Sequence, residues 1–410
     1  MVTHRIFSVI ALLAAGMIFG SCKKSNEGPD PVKSVLPVPG QDTPSLSEIR
    51  TWLTDKNATD ETAVLFYKLK TIAKTNILFG HQDATKRGVI DAGTQWANEQ
   101  QFSGISNERS DVRTVTGAYP AVYGFDFLHI ANFTDGNWFD YERDIARKLT
   151  IEAYNRGGVC TYAWHYVNPV SKKGFYWSES PVLAVGEILP GGSENATFRA
   201  SLKTIADYAN KLIGADGKPV PVIFRPFHEM DGDWFWWGRG HCTPAEYQAL
   251  YRYTVTYLRD DLKVRNFLYA WSPDRSFNSE SAYLTYYPGD AYVDLVGIDN
   301  YEDMKSASSV SLAAGKLKIV SDFAEKKNKI AALTETGLAN ISQSDWFTQV
   351  LLKALTLQKV QLSYALVWAN TRDAYWTPYK GHPAESDFLK FKNNPYVLFS
   401  DKMPTVYSLK

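Results

Sequence analysis

What this sequence lacks narrows its possible functions. The 410 residues carry 44 Lys and Arg against 44 Asp and Glu, so no basic surplus is available to neutralise nucleic-acid phosphates. The 3 cysteines include no C-x-x-C pair, the usual signature of a cysteine metal site. No glycine-rich phosphate-binding fingerprint follows a first strand. We therefore expect no nucleic-acid partner, no metal and no cofactor.

One apolar run stands apart, at the N-terminus. Ile6–Phe19 follows His4 and Arg5 and precedes Gly20-Ser21-Cys22. The run is too short for a membrane-spanning helix and has the plan of a signal peptide. It resembles a bacterial lipoprotein signal, although Phe19 stands where Leu is commoner. An ordinary secretory signal with an incidental cysteine is the alternative.

The lipoprotein resemblance sets three expectations. Residues 1–21 are predicted to be the signal peptide, with Cys22 lipidated. The polar, Pro-rich residues 22–43 are predicted to be a flexible tether. The lipid would anchor the chain in the membrane of a bacterial cell envelope, at the outer membrane or cell surface or facing the periplasm. For Cys160 and Cys242, the sequence leaves disulfide pairing open.

The rest of the chain, residues 44–410, alternates apolar runs with stretches of helical periodicity. Near-continuous apolar strands between helices are typical of a parallel sheet, and eight such units fit a (β/α)8 barrel of the α/β class. A doubly wound open sheet is the alternative, weakened by the missing phosphate fingerprint. The eight predicted strands are Ile77–Asp83, Ala121–Ile130, Gly158–Tyr166, Val220–Glu229, Phe267–Asp274, Tyr292–Tyr301, Ile330–Gly337 and Leu362–Asn370.

The fourth of these strands ends in an unusual segment. It reads Arg225-Pro226-Phe227-His228-Glu229-Met230-Asp231-Gly232-Asp233-Trp234-Phe235-Trp236-Trp237. Carboxylates beside flat aromatic faces suit the binding of a sugar ring and proton delivery to its glycosidic oxygen. His228-Glu229 also begins like a zinc-helix motif, but Gly232 stands where its second His would be.

A second glutamate, Glu335, ends the seventh strand. Strands four and seven lie on opposite sides of an eight-stranded barrel, so Glu229 and Glu335 would face each other across the mouth. Strand alternation would place Arg225, Phe227 and Glu229 on one face. We predict a carboxyl separation of ~5–5.5 Å, which implies a covalent intermediate and retention at the anomeric carbon.

The sequence also suggests a role for each group. No cation follows Glu335 closely, so we expect it to be ionised and to act as the nucleophile. The apolar neighbours of Glu229 would raise its pKa, which suits a general acid. Barrel geometry would let Tyr301 donate a hydrogen bond to Glu335 and would place Trp368 beneath the reacting sugar.

The segment around Glu229, together with Thr334-Glu335-Thr336-Gly337, resembles glycoside hydrolase family 26, whose main activity is endo-β-1,4-mannanase. Phe79-Gly80-His81-Gln82 and Trp164-His165 extend the resemblance. It implies Glu229 as acid/base and Glu335 as nucleophile in a retaining double displacement on β-mannan, galactomannan or glucomannan. By the same resemblance the sugar-contacting residues are His165, on the non-reducing side, and Arg225, His228, Trp234, Trp237, Asp299, Tyr301 and Trp368.

Several alternatives stay open. An exo-acting mannobiohydrolase would need a loop that closes one end of the cleft, for which Phe175-Tyr176-Trp177-Ser178 and residues 93–119 are candidates. A mixed-linkage β-glucanase or a xylanase would share the same two acids. A glycan-binding surface lipoprotein would need the aromatic platforms but neither glutamate. We expect a monomer.

Overall fold

A computed structural model of the chain describes residues 43–97, 108–133 and 137–409. The predicted signal peptide, Cys22 and almost all of the predicted tether lie outside these ranges, as does part of the predicted loop at 93–119. Among the described residues, no helix combines the length and apolar character needed to cross a membrane. Cys160 and Cys242 both have free thiols, so the disulfide left open by the sequence is not formed.

Eight parallel strands close into a barrel, which confirms the predicted fold. They follow the order β1-β4-β5-β6-β7-β8-β9-β10, and β10 pairs back onto β1 through Leu78↔Tyr364 to His81↔Val367. Their bounds are β1 Ile77–Gln82, β4 Val122–Asp126, β5 Val159–Trp164, β6 Val222–Pro226, β7 Phe267–Trp271, β8 Leu295–Asp299, β9 Ile330–Thr336 and β10 Tyr364–Val367. A hairpin, β2 Arg87–Asp91 with β3 Thr94–Ala97, and the short β11 Val397–Leu398 complete the strands of the described residues.

Helices connect the strands around the outside. They are α1 Leu46–Trp52, α2 Asp60–Ile72, α3 Asp111–Thr116, α4 Asn137–Asn155, α5 Val185–Ile188, α6 Asn195–Ala209, α7 Pro244–Thr256, α8 Glu280–Tyr283, α9 Val310–Lys326, α10 Lys353–Thr356 and α11 Glu385–Asn393. At the start of α7, Thr243 and Glu246 form a capping box, with Pro244 in the first turn.

Two apolar layers hold the barrel together. The inner layer contains strand residues such as Leu78, Ile223 and Leu295, and also Ile49 and Leu65 of the first two helices, which therefore close one end of the barrel. The outer layer lies between strands and helices. Parallel strands buried on both faces leave their carboxyl ends as the place where polar side chains can reach solvent.

Candidate active site

A buried arginine joins the ends of three strands. The Arg225 guanidinium, at the end of β6, donates to Asp299 Oδ2 of β8 at 2.6 Å and also contacts Glu335 Oε1 of β9. Thr334 Oγ1 donates to Asp299 Oδ1 at 2.6 Å. No cation follows Glu335 closely in the sequence, but the closed barrel brings one to it. Its cation comes from a strand 110 positions earlier in the chain.

Both oxygens of Glu335 have a donor. Arg225 contacts Oε1, and the Tyr301 hydroxyl donates to Oε2 at 2.9 Å. The predicted hydrogen bond from Tyr301 to Glu335 is thus present. Two fixed donors restrict the orientation of the carboxylate, as a nucleophile requires.

The acid/base candidate Glu229 lies beyond the end of β6, in a strained segment. Phe227 and Glu229 adopt φ of 51° and 54°, a region that costs non-glycine residues of the order of 1–3 kcal/mol each. The Glu229 N–H donates to Ser272 O at 2.9 Å, and the Tyr247 hydroxyl donates to Phe227 O at 2.8 Å. These contacts hold the segment in place.

The strained backbone overturns one prediction. Alternation along a strand would put Phe227 on the same face as Arg225 and Glu229. Instead Phe227 is fully buried in the outer layer, with its ring 5.7 Å from Trp164 and 5.8 Å from Trp237. Glu229 reaches the mouth through a turn and not through strand periodicity.

The surroundings of Glu229 favour its protonated form. Burial raises the pKa of Glu229 well above its usual value, and the acids Asp299 and Glu335 raise it further. One interaction acts in the opposite direction: Trp234 Nε1 donates to Glu229 Oε2 at 2.7 Å, which lowers the pKa. A glutamate whose pKa is raised keeps its proton to higher pH, which suits a general acid.

Two histidines, in contact with each other, lie next to these acids. The rings of His165 and His228 meet edge to face with centroids 4.6 Å apart. Burial lowers the pKa of His228 well below its usual value, and the nearby Arg225 charge lowers it further, so His228 is neutral. The cluster of His228, Asp299 and Glu335 could in principle hold a cation, but Arg225 already supplies the positive charge between the two acids.

Asp126, at the end of β4, fixes His165. Its carboxylate bonds to His165 Nδ1 and accepts from the His165 backbone N–H at 3.1 Å. Burial alone would raise the pKa of Asp126, but the imidazole and the backbone N–H groups hold it at about 2. Asp126 was not among the predicted site residues; its only signal in the sequence is an acid at a strand end.

These groups open into one cavity of about 440 Å³, here called the cleft. Seven predicted site residues line it: His165, His228, Glu229, Trp234, Tyr301, Glu335 and Trp368. Six others were not predicted as site residues: Tyr176, Phe235, Asp274, Arg275, Glu302 and Trp376. The predicted distance between the Glu229 and Glu335 carboxyl groups stays a prediction.

Three residues predicted to contact substrate lie beneath the cleft instead. Arg225, Trp237 and Asp299 are at most 3% exposed. Trp237 Nε1 donates to His228 O at 2.8 Å, so this indole supports the histidine. Arg225 and Asp299 are hydrogen-bonded to each other, because their side chains project into the interior of the closed barrel.

The loop Phe175-Tyr176-Trp177-Ser178, a candidate for closing one end of the cleft, is hydrogen-bonded to the segment that contains Trp234–Trp237. Tyr176 and Phe235 form an antiparallel bridge with stacked rings, and the Trp177 N–H donates to Trp234 O at 2.7 Å. Tyr176 remains 40% exposed on the cleft wall. The loop therefore forms one side of the cleft.

Comparison with known proteins gives consistent matches. The sequence model described as Glycosyl hydrolase family 26 matches residues 54–401. A mannan endo-1,4-beta-mannosidase of Bifidobacterium adolescentis is 35% identical over 381 residues, 87% of this chain and 36% of that protein. The chain thus spans about a third of that relative. A mannan endo-1,4-beta-mannosidase of Bacillus subtilis strain 168 is 28% identical over 69% of this chain and 75% of that protein.

Solved structures agree in fold. GH26C from Muricauda sp. MAR_2010_75 has a TM-score of 0.83 and 39% identity, covering 90% of this chain and 100% of that one. A GH26 beta-mannanase from Bacteroides ovatus has a TM-score of 0.76 and 34% identity, covering 85% of this chain and 98% of that one.

Proposed function

Because the chain belongs to glycosyl hydrolase family 26, and is therefore a glycoside hydrolase, we propose that it cleaves internal β-1,4-mannosidic bonds of mannan, galactomannan or glucomannan with retention. The names of the similar mannosidases support the substrate. The observation that carries the mechanism is the contrast between two acids of one cleft: the pKa of Glu229 is raised, and Glu335 is hydrogen-bonded by Arg225 and Tyr301.

In the first step a Glu335 oxygen attacks the anomeric carbon. The bond from that carbon to the glycosidic oxygen breaks, and Glu229 transfers its proton to the departing oxygen. The sugar is then esterified to Glu335, and the shortened chain leaves with a free hydroxyl. Trp234, bonded to Glu229, holds the acid at the cleft wall during the transfer.

In the second step Glu229 acts as a base. Esterification removes the charge of Glu335, which is one of the acids that raise the Glu229 pKa, so the deprotonated form of Glu229 is easier to maintain. Glu229 takes a proton from water, whose oxygen attacks the anomeric carbon, and the ester bond breaks. Glu335 is released as a carboxylate and Glu229 regains its proton.

Two variants test these roles. We expect Glu335→Ala to abolish hydrolysis of both mannan and an aryl β-mannobioside. We expect Glu229→Ala to lower hydrolysis of mannan by about 10²- to 10⁴-fold. The same variant should form the glycosyl ester readily from an aryl substrate, whose leaving group needs no proton. Circular dichroism checks the fold, and near-normal mannan hydrolysis by either variant would contradict the assignment.

Product analysis separates the alternatives that share these acids. Unbranched mannan and barley mixed-linkage glucan are digested in parallel, and products are sampled from the first minutes. Internal cleavage gives a ladder of manno-oligosaccharides early in the reaction. Mannobiose as the sole early product would identify an exo-acting enzyme, and faster release from the barley glucan would identify a glucanase. Binding of mannan without any release of sugar would leave a glycan-binding protein.

We also propose that a lipid on Cys22 anchors the enzyme in a bacterial envelope through the tether at residues 22–43. The support is the apolar run that ends in Gly20-Ser21-Cys22. Full-length protein should then partition into detergent, and Cys22→Ala should not. We propose that the enzyme is a monomer, which light scattering of the purified protein tests.

A further inference from the structure

One carboxylate of the cleft takes no step in the mechanism above, although its charge is among those that raise the pKa of Glu229. Asp274 follows β7, in the turn Ser272-Pro273-Asp274-Arg275, and lines the same cavity as Glu229. Around the barrel, Glu229 follows β6 and Glu335 ends β9, so the line between them divides the ring of strands. β7 and β8 lie on one side of that line, and β10, β1, β4 and β5 lie on the other.

Two hydrogen bonds from its turn to the Asp231 carboxylate fix the position of Asp274. Its N–H donates to Asp231 Oδ1 at 2.6 Å, and the Ser276 N–H donates to Asp231 Oδ2 at 3.2 Å. Asp231 is two residues beyond Glu229, so this contact joins the Asp274 turn to the acid/base segment. Neither of these two contacts uses the Asp274 carboxylate, which lines the cavity.

No side chain of the described residues forms an ion pair or hydrogen bond with the Asp274 carboxylate. The adjacent Arg275 guanidinium instead lies 3.6 Å from Asp303 Oδ1. Glu302, on the same wall, differs because it pairs with Lys305 at 2.6 Å. Burial raises the pKa of the Asp274 carboxyl, and a hydrogen bond from the Arg275 backbone N–H and the charges of Arg275 and Lys316 offset this effect only in part.

Sugar hydroxyls are donors of the required kind. A carboxylate accepts two O–H groups at once, and neighbouring ring hydroxyls present such a pair. Trp368 and His165 follow β10 and β5. The family resemblance implies that Trp368 lies beneath the sugar under attack and that His165 contacts sugar on its non-reducing side. The other side of the barrel mouth, next to β7 and β8, is then left for the sugar unit that leaves when the glycosidic bond breaks.

We propose that the Asp274 carboxylate binds hydroxyl groups of the sugar unit on the leaving-group side of the cleaved bond. This assignment rests on the proposed mannanase function. It makes Asp274 a specificity-determining residue for a pyranoside leaving group.

Binding without turnover gives the direct test. In a Glu335→Gln background, calorimetry measures the affinity for mannopentaose after Asp274→Ala, Asp274→Asn or Glu280→Ala. Glu280 is the matched control, since it follows the same strand, pairs with Lys326 at 2.8 Å and does not line the cleft. We expect about tenfold weaker binding for Asp274→Ala, as for loss of one charge-assisted interaction. We expect a smaller loss for Asp274→Asn and none for Glu280→Ala.

Turnover of the active enzyme gives the second readout. Asp274→Ala should lower kcat/KM for mannopentaose by about tenfold and leave kcat/KM for an aryl β-mannobioside unchanged, because that substrate has no sugar on the leaving-group side. Unchanged mannopentaose affinity, or equal losses on both substrates, would overturn the proposal. The pH dependence of kcat/KM gives a further check. If Asp274→Asn displaced its alkaline limb but left the affinity for mannopentaose unchanged, Asp274 would act only through Glu229 and the proposal would be overturned. If the unmodified enzyme neither binds nor cleaves mannopentaose, the proposed function itself fails.

Discussion

At the scale of single residues, Trp234 opposes the groups that keep Glu229 protonated. Its indole N–H, 2.7 Å from Glu229 Oε2, stabilises the charged carboxylate and lowers its pKa. Trp234→Phe removes this donor, so the pKa of Glu229 should rise. Since the acid must be protonated, the alkaline limb of kcat/KM should move to higher pH.

The pH dependence of kcat/KM on mannopentaose measures this effect. Trp237→Phe is the matched control, because the Trp237 N–H bonds to His228 O and not to Glu229. It should leave the position of the limb unchanged, whatever its effect on the maximum rate. A limb that stays in place in Trp234→Phe, or moves to lower pH, would contradict the role of the hydrogen bond.

The residues of the site differ in how far sequence could predict them. The placement of Glu229 and Glu335 in one cleft could be predicted, because a carboxylate near the carboxyl end of an apolar strand needs a functional reason. The pairing of Arg225 with Glu335 could not, because it depends on barrel closure between distant strands. Asp274 ends the fifth predicted strand, which was its only signal in the sequence, and Trp376 lies in a turn without periodicity and has none.

At the scale of elements, the end of β9 shows how a backbone position shapes the cleft wall. Gly337, just after this strand, has φ of 149°, and a Cβ built there would lie 2.0 Å from Trp376 Cδ1. Gly337→Ala should therefore lower the free energy of unfolding by about 1–3 kcal/mol and displace Trp376 from the wall. Urea unfolding measures the loss of stability, and the mannopentaose KM reports the displaced indole.

Gly315→Ala is the control for this substitution. Gly315 lies inside α9, and a Cβ added there meets nothing within 4 Å. Alanine at a helix interior position should stabilise the protein by about 0.5–1 kcal/mol. Equal effects of the two substitutions would mean that the contact between Gly337 and Trp376 has no energetic consequence.

The secondary structure was predictable to the extent that it is periodic. All eight barrel strands were predicted, although β6 ends at Pro226 and not at Glu229. The reason is the positive φ of Phe227 and Glu229, which non-glycine side chains seldom adopt and no sequence pattern announces. The hairpin β2–β3 was missed because its strands are short and its turn at Ala92-Gly93 is not one of the usual hairpin signals.

At the scale of the whole molecule, stability in acid depends on a histidine that the closed barrel keeps neutral. His81, in β1, is fully buried, and burial lowers its pKa to about 4. Between pH 6.5 and 4 the unfolded chain binds a proton that the folded protein does not, so acidification over this range favours unfolding. The change in pKa from 6.5 to about 4 corresponds to about 3 kcal/mol.

His81→Gln tests this account, because glutamine is polar but does not titrate. The free energy of unfolding in urea, measured every half pH unit from 7.5 to 4.5, should fall less steeply in the variant than in the natural protein. Asp126, with a pKa of about 2, acts in a separate window: its stabilisation is present above about pH 3.9 and is lost only below it. Parallel curves for the two proteins over this range would show that protonation of His81 does not drive acid unfolding.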